Sequence, residues 1–470
     1  MEHAEAGGNL QVNDVTVTDP QVVKRAVGAA AIGNFTEWYD FGVYGYLATT
    51  IEKVFFSGLP ESVGLIATFA VFAVSFLIRP FGGLFFGPLS DRIGRKQVLS
   101  LTVILMALGT FAIGIVPSYA AIGVAAPMLV LLARLVQGFS TGGEYGSAMT
   151  FIAEYAPDRR RGFFGSWLEF GTLSGYAFGA GLATVLSAML PDDALLSWGW
   201  RIPFLIALPI GLVGLYLRTK LEDTPAFEAL VSESEQHQGT PAREEFREIF
   251  LKYFPTMLVC GGLVLTWNVL NYMLTSYMPT YLENLPKYGV QGTEETLAQV
   301  LQIVVLVIMM VVITFCGRLS DRIGRRPVVL AGCVSMVVLS FPSVLLIQAG
   351  GATATFFGLL LMGLILVVFS GTLPSTLPAM FPTHIRAGGL SIAFNIFVSL
   401  FGGTTSVVMA SLVSATGDLN WPAYYLTAAG VIGAVAIYFT RESAGRHLRG
   451  SAPTASSREE AQELVDAYNR

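Results

Sequence analysis

Apolar residues along this chain gather into long blocks, not into the three-to-four spacing of a surface helix or the alternation of a half-buried strand. A bilayer's hydrocarbon core, about 30 Å thick, takes about 20 apolar residues of helix to cross. Twelve blocks reach or approach that length: 26–49, 64–87, 98–117, 123–152, 163–189, 202–219, 254–282, 297–317, 328–348, 354–380, 389–414 and 422–440. The pattern predicts an all-α membrane protein of twelve transmembrane helices. Gly171, Gly175, Gly179 and Gly181 in the fifth block are small enough to let neighbouring helices approach closely.

The long polar interruption from Lys220 to Lys252, punctuated by Pro225, Gly239 and Pro241, separates six blocks from six and reads as a linker. The expected organisation is an N-terminal tail (1–22), a first six-helix half (23–220), the linker (221–252), a second half (253–440) and a short C-terminal tail (441–470). A repeat supports two pseudo-symmetric halves. GPLSDRIGRK at 87–96 returns 230 residues later as GRLSDRIGRR at 317–326, identical at eight of ten positions. A weaker echo joins 155–161 to 381–386, with Pro157 and Pro382 in matching places.

Composition agrees with lipid as the solvent. The chain is 53% hydrophobic and only 13% charged, with a mean hydropathy of +0.61, when a soluble protein carries about a quarter of its residues charged. A net charge of -5 gives no reason to expect nucleic acid. Cys260, Cys316 and Cys333 lie in apolar stretches without a CxxC pair, so neither a metal site nor a disulfide scaffold is expected. The polar N-terminus does not read as a cleavable signal. Placing it inside puts 23 of the 28 lysines and arginines in the cytoplasm, which is the side they favour. Both termini are therefore expected to be cytoplasmic, in a multi-pass protein of the cytoplasmic (inner) membrane.

Charges inside the membrane are costly, about 2.5 to 3.5 kcal/mol each on the lenient scale, and each asks for a function. The first half concentrates them. Glu37 and Asp40 share one face of span one, Arg79 lies in span two, Arg134 and Glu144 in span four, and Glu169 early in span five. The interiors of spans seven to twelve carry none, offering Trp267, Asn268, Asn271, Tyr272 and Asn395 instead. The four histidines lie in tails or loops, so carboxylates must carry any proton. A buried carboxylate can exchange one as an arginine approaches or withdraws. Glu37, Asp40, Arg79, Arg134 and Glu144 are thus the candidate proton-coupling set. A static internal ion pair is the structural alternative. In the repeat, Asp91 and Asp321 are placed to cap helix N-termini, Arg92, Arg95, Arg322 and Arg325 to pair with acids on neighbouring helix ends, and Gly94 and Gly324 to permit a tight turn.

Two six-helix halves that each carry G-x-L-S-D-R-x-G-R-[KR] after their second span resemble the major facilitator superfamily over roughly residues 22–441. The resemblance implies that the repeated motifs latch a gate, broken as the halves rock. Arg134 opens RLVQG at 134–138, similar to the superfamily's RxxQG signature, which implies a role in proton coupling or substrate contact. Gly33, Asn34, Glu37, Asp40, Phe41, Tyr44 and Gly45 of span one, WGWRIPF at 198–204 and LEDTPAF at 221–227 look like the metabolite:proton symporter family within it. Among its members the chain most resembles the osmoregulatory importers of compatible solutes.

That likeness implies proton-driven symport of zwitterionic solutes such as proline and glycine betaine by alternating access. The implied partners are the solute, the proton and membrane lipids, with a monomer as the working unit, no nucleic acid and no cofactor beyond the proton gradient. Arginine suits a carboxylate, and a carboxylate with aromatic faces suits an ammonium. The candidate substrate site is accordingly Glu37, Asp40, Tyr44, Arg79, Arg134, Trp267, Asn271, Tyr272 and Asn395, with no catalytic residue and no enzymatic activity. The rival readings are a symporter of carboxylates such as 2-oxoglutarate, citrate or shikimate, and a channel or non-transporting osmosensor. The tail helix from Ser457 to Arg470 carries about one heptad, too little for a stable coiled coil, which leaves osmotic regulation of this chain open.

Overall fold

The computed structural model describes residues 10–219, 242–290, 293 and 295–469. Most of the expected linker, 221–241, and residues 1–9 of the expected N-terminal tail lie outside the described residues.

Twelve long helices follow one another: α1 (Pro20–Tyr46), α2 (Glu61–Ile93), α3 (Arg95–Ile115), α4 (Ala125–Tyr155), α5 (Arg161–Met189), α6 (Arg201–Thr219), α7 (Phe254–Tyr272), α8 (Glu295–Ile323), α9 (Arg325–Gln348), α10 (Ala352–Thr376), α11 (Arg386–Phe397) and α12 (Trp421–Phe439). After π-type turns, α7 continues through Met278–Asn284 and α11 through Thr405–Thr416. Eleven of these segments are long and apolar enough to cross a membrane. The remaining one, α1, has the length but not the hydropathy, because Asn34, Glu37 and Asp40 interrupt its centre. Those residues are buried inside the protein, so the helix need not present them to lipid.

Helix α1 packs along α5, α2 along α4, and α3 along α6; in the second half α9 packs on α10 and α12, and α8 on α10. The halves meet along α2 with α11, α5 with α8 and α10, and α4 with α11. Three of the four glycines singled out in span five have a reason for being glycine: a Cβ at Gly171, Gly175 or Gly179 would run into the α1 carbonyls of Ala31, Phe35 and Tyr39. Gly181 faces open space and takes no part in that seam.

The outermost described residues, Leu10 and Asn469, meet on one face of the bundle, termed here the terminal face. Thr16–Val17 pairs in parallel with Thr454–Ala455. A final helix, α13 (Arg458–Tyr468), is capped by the Ser457 hydroxyl accepting from the Glu460 amide. It packs Ala461 and Val465 against Leu10 and Val15. The tail helix thus docks on its own chain. The described end of the linker, Ala242–Leu251, lies on this face too, with Ile249 buried near Gly388 and Glu248 within 3.3 Å of His384.

Candidate functional site

Two buried ionic centres stand out. One lies half-way along the bundle and is built from the first half alone. Glu37 on α1 faces Arg79 on α2 at 3.4 Å, and Asp40 one turn further pairs with Arg134 on α4. The i, i+3 spacing puts both carboxylates on one face of α1. Aromatic rings back the guanidiniums: Arg79 lies 4.5 Å from the Phe76 ring centre and 5.2 Å from that of Phe41, and Arg134 lies 3.9 Å from that of Tyr44. Such contacts stabilise a cation whose water has been removed. Several polar atoms here are buried without a hydrogen-bond partner among the described residues: Glu37 Oε2, Asp40 Oδ1, the Trp38 indole N–H, Arg79 Nε, and Arg134 Nε and Nη2. Each such group costs about 1–3 kcal/mol when unpaired, and their concentration in one place marks a centre built for more than packing.

The second half closes over this centre with uncharged groups. Trp38 stacks on Tyr272 with ring centres 6.2 Å apart, and Phe76 meets Tyr272 edge-on at 5.3 Å. Trp267 donates its indole N–H to the Ser370 hydroxyl at 2.9 Å. Of the residues expected at the site, Glu37, Arg79, Trp267 and Tyr272 reach the seam between the halves. Tyr44 does not: its hydroxyl donates to the Thr68 carbonyl at 3.0 Å, inside the first half's own core. Asn395 is occupied otherwise, its amide donating to the carbonyls of Gly142 at 2.6 Å and Ser391 at 2.7 Å, and so ties α11 to α4. Asn271 is buried on α7, and Glu144 is buried on α4.

The other ionic centre spans the halves at the terminal face. Asp91, at the end of α2, accepts the amides of Ala387 (3.3 Å) and Gly388 (2.7 Å), capping α11. Its counterpart Asp321, at the end of α8, accepts those of Gly162 (2.7 Å) and Phe163 (2.8 Å), capping α5. Each carboxylate thus sits at the positive end of a helix in the opposite half. Arg95 and Arg325 are buried beside their aspartates at 3.0 and 3.4 Å, whereas Arg92 and Arg322 are exposed at the helix ends. Gly94 and Gly324 turn the chain at φ of 106° and 104°, a region only glycine enters freely. A Cβ on Gly162 would stand 2.6 Å from the Gly317 carbonyl, and one on Gly317 equally close to that of Gly162. The halves touch there backbone to backbone.

Glu154 completes this centre. From α4 it meets Arg386 of the other half at 2.7 Å and Arg95 at 3.4 Å, all three buried. The C-terminal tail is laced across the same contact. Arg386 donates to the Arg449 carbonyl (2.8 Å), Arg161 to that of Arg446 (3.1 Å), Arg325 to that of Ser443 (2.8 Å), and Asp158 accepts the Thr454 amide (3.0 Å).

The profile of the Major Facilitator Superfamily matches residues 30–405. The chain belongs to the major facilitator superfamily. It is a multi-pass membrane transporter of that superfamily, and no enzyme. The glycine betaine/proline/ectoine/pipecolic acid transporter OusA of Dickeya dadantii (strain 3937) is 46% identical over 464 residues, 98% of this chain and 91% of that one. The proline/betaine transporter of Escherichia coli (strain K12) is 46% identical over 465 residues, covering 98% and 92%. Among solved structures, the proton:xylose symporter XylE bound to 6-bromo-6-deoxy-D-glucose superposes with a TM-score of 0.76 at 20% identity, over 95% of this chain and all of that one. At that identity the likeness speaks for the fold.

Reading the transporter's sequence found the repeated motif and the four central charges but missed Glu154, Arg386 and Arg161 as parts of the terminal centre. The weak echo between 155–161 and 381–386 was the available signal, since Arg161 and Arg386 open α5 and α11 in equivalent places. Glu169 and Tyr145 were missed as partners. Their side chains are hydrogen-bonded to each other between α4 and α5, a contact with no local signature.

Proposed function

We propose that this protein is a proton-coupled symporter that imports zwitterionic compatible solutes, proline and glycine betaine among them, across the cytoplasmic membrane. The observation that carries the reading is a buried centre holding both signs of charge at the seam of the two halves, in a chain similar over nearly its whole length to transporters named for such solutes. A solute reaching Glu37–Arg79 with its own carboxylate competes for Arg79, and Glu37 then becomes free to take up a proton. Asp40–Arg134 offers a second exchangeable pair deeper in the first half. The proton gradient is the only driving agent in this reading, with no bound cofactor, both termini in the cytoplasm, surrounding lipid as the other partner, and a monomer as the working unit. Activation at high osmolality belongs to the same reading.

Symport of di- or tricarboxylates fits less well. Glu37, Asp40, Glu144 and Glu169 outnumber Arg79 and Arg134 in the buried interior, and each arginine already has a carboxylate partner. The test is uptake of labelled glycine betaine into proteoliposomes. The expected result is accumulation under an inward proton gradient that a protonophore abolishes, with proline competing. Indifference to the gradient, or competition by 2-oxoglutarate and not by proline, would overturn the proposal.

A further inference from the structure

We infer that Glu169, Tyr145 and Trp267 form the subsite that receives the cationic end of the solute; this rests on the zwitterion reading above and adds the residues that would recognise its ammonium. Glu169 is buried on α5 at the seam, yet among the described residues no arginine or lysine pairs with it. Its carboxylate is satisfied by hydroxyls: it accepts from Tyr145 and from Thr172 at 3.0 Å. Glu37 and Asp40 each have an arginine at hand; Glu169 has none among the described residues, so in its ionised form it lacks the counter-charge that a bound cation would supply.

The surroundings fit an ammonium that carries methyl groups. The rings of Tyr145 and Phe394 stack at 4.7 Å, and the Trp267 ring centre lies 6.1 Å from each. Aromatic faces attract a cation that has no hydrogen to donate, where hydroxyl or carbonyl groups alone would serve it poorly. The subsite is also divided between the halves, Glu169 and Tyr145 from the first and Trp267, Ser370 and Phe394 from the second. The indole N–H of Trp267 is held by the Ser370 hydroxyl at 2.9 Å, and its ring lies beside that of Tyr145, which donates to Glu169. Asn34, one turn before Glu37 on α1, donates to the Thr172 hydroxyl that in turn donates to Glu169, which places the Glu37–Arg79 pair and the carboxylate of Glu169 in one neighbourhood, one for each end of a zwitterion.

The experiment compares wild type with Glu169→Gln, Glu169→Asp and Trp267→Leu in proteoliposomes, using glycine betaine and proline as substrates. Glu169→Gln is expected to raise KM at least tenfold for both, with kcat changed much less, and Glu169→Asp to recover part of the loss. Trp267→Leu is expected to raise KM about fivefold more for glycine betaine than for proline, since only the former presents a fully methylated cation. Should Glu169→Gln not yield folded protein, the Asp and Trp267 variants carry the same comparison. KM values within twofold of wild type, or loss of proton-driven accumulation with KM and counterflow intact, would overturn the subsite while leaving zwitterion symport standing. A wild-type protein that accumulates neither solute would remove both readings.

Discussion

The central and terminal ionic centres are both buried, yet they are wired differently. At the centre the pairs Glu37–Arg79 and Asp40–Arg134 both lie within the first half. At the terminal face Glu154–Arg386 and the caps by Asp91 and Asp321 all cross between halves. If the halves separate at the terminal face, the second set must break while the first can stay intact. The terminal centre therefore reports the position of the halves, and the central one is free to respond to what is bound. A buried charge left without its partner costs about 3–5 kcal/mol, enough for either centre to govern which conformation is populated.

Removing Glu154 should have the largest effect. Glu154→Gln leaves Arg95 and Arg386 buried without the carboxylate they share, and should destabilise the closed terminal face by about 3–5 kcal/mol. Faster amide exchange in residues 377–385 is the readout, and unchanged exchange would break the comparison. Asp40→Asn should do the reverse: proton-driven uptake falls at least tenfold while exchange in 377–385 stays as in wild type, because no terminal contact is touched. Asp91→Asn and Asp321→Asn keep an acceptor oxygen but lose its charge, for about 1 kcal/mol each at a helix N-terminus. Equal opening from the two variants would establish that the caps act as symmetric counterparts.

The smallest effect concerns Glu442. Partial burial pushes its carboxyl up, but amides of Arg325 and Arg326 (3.0 Å each), Ser443 (2.9 Å) and Ala444 (2.8 Å) outweigh that and hold it below the usual carboxylate range. A lowered folded-state pKa contributes stability above the unfolded carboxyl's value, about 4.3, and loses it as pH falls through the folded value. Thermal unfolding of wild type should therefore weaken more than that of Glu442→Gln on acidification from pH 6 to pH 3.5. A parallel loss in both would remove the tail from the energetics of the terminal face.

Much of this was legible in the sequence because its causes are local. Block length set the helices, since an apolar run crosses lipid only as a helix, and a charge within a run was conspicuous against its neighbours. The repeated motif could be read because its residues recur at the same spacing around the turns at Gly94 and Gly324, although the helix ends that Asp91 and Asp321 cap lie in the opposite half. The partners could not be read. Glu154 and Arg386 are 232 residues apart, and nothing near Glu169 in the chain shows that Tyr145 bonds to it. Asn395 shows a related limit: a polar residue in an apolar helix signals a bonded partner without naming it, and here its amide donates to the backbone of Gly142. The helical start at Pro20 in place of 26 also has a local cause, as Asp19 caps the first turn by accepting the Gln21 amide.

The strand pairing of Thr16–Val17 with Thr454–Ala455 bears on how the chain is made. Its two strands lie at opposite ends of the polypeptide, and the bond from the Leu10 amide to Asn469 spans 459 positions. These contacts cannot form until residues 454–469 have been made, after all twelve long helices, so they act as a clasp that closes around a bundle already threaded through the bilayer. Leu10 and Asn469 then lie side by side, an arrangement that suits circular permutation: joining the chain there by a short linker and opening it elsewhere would turn a contact made late in synthesis into one of the first.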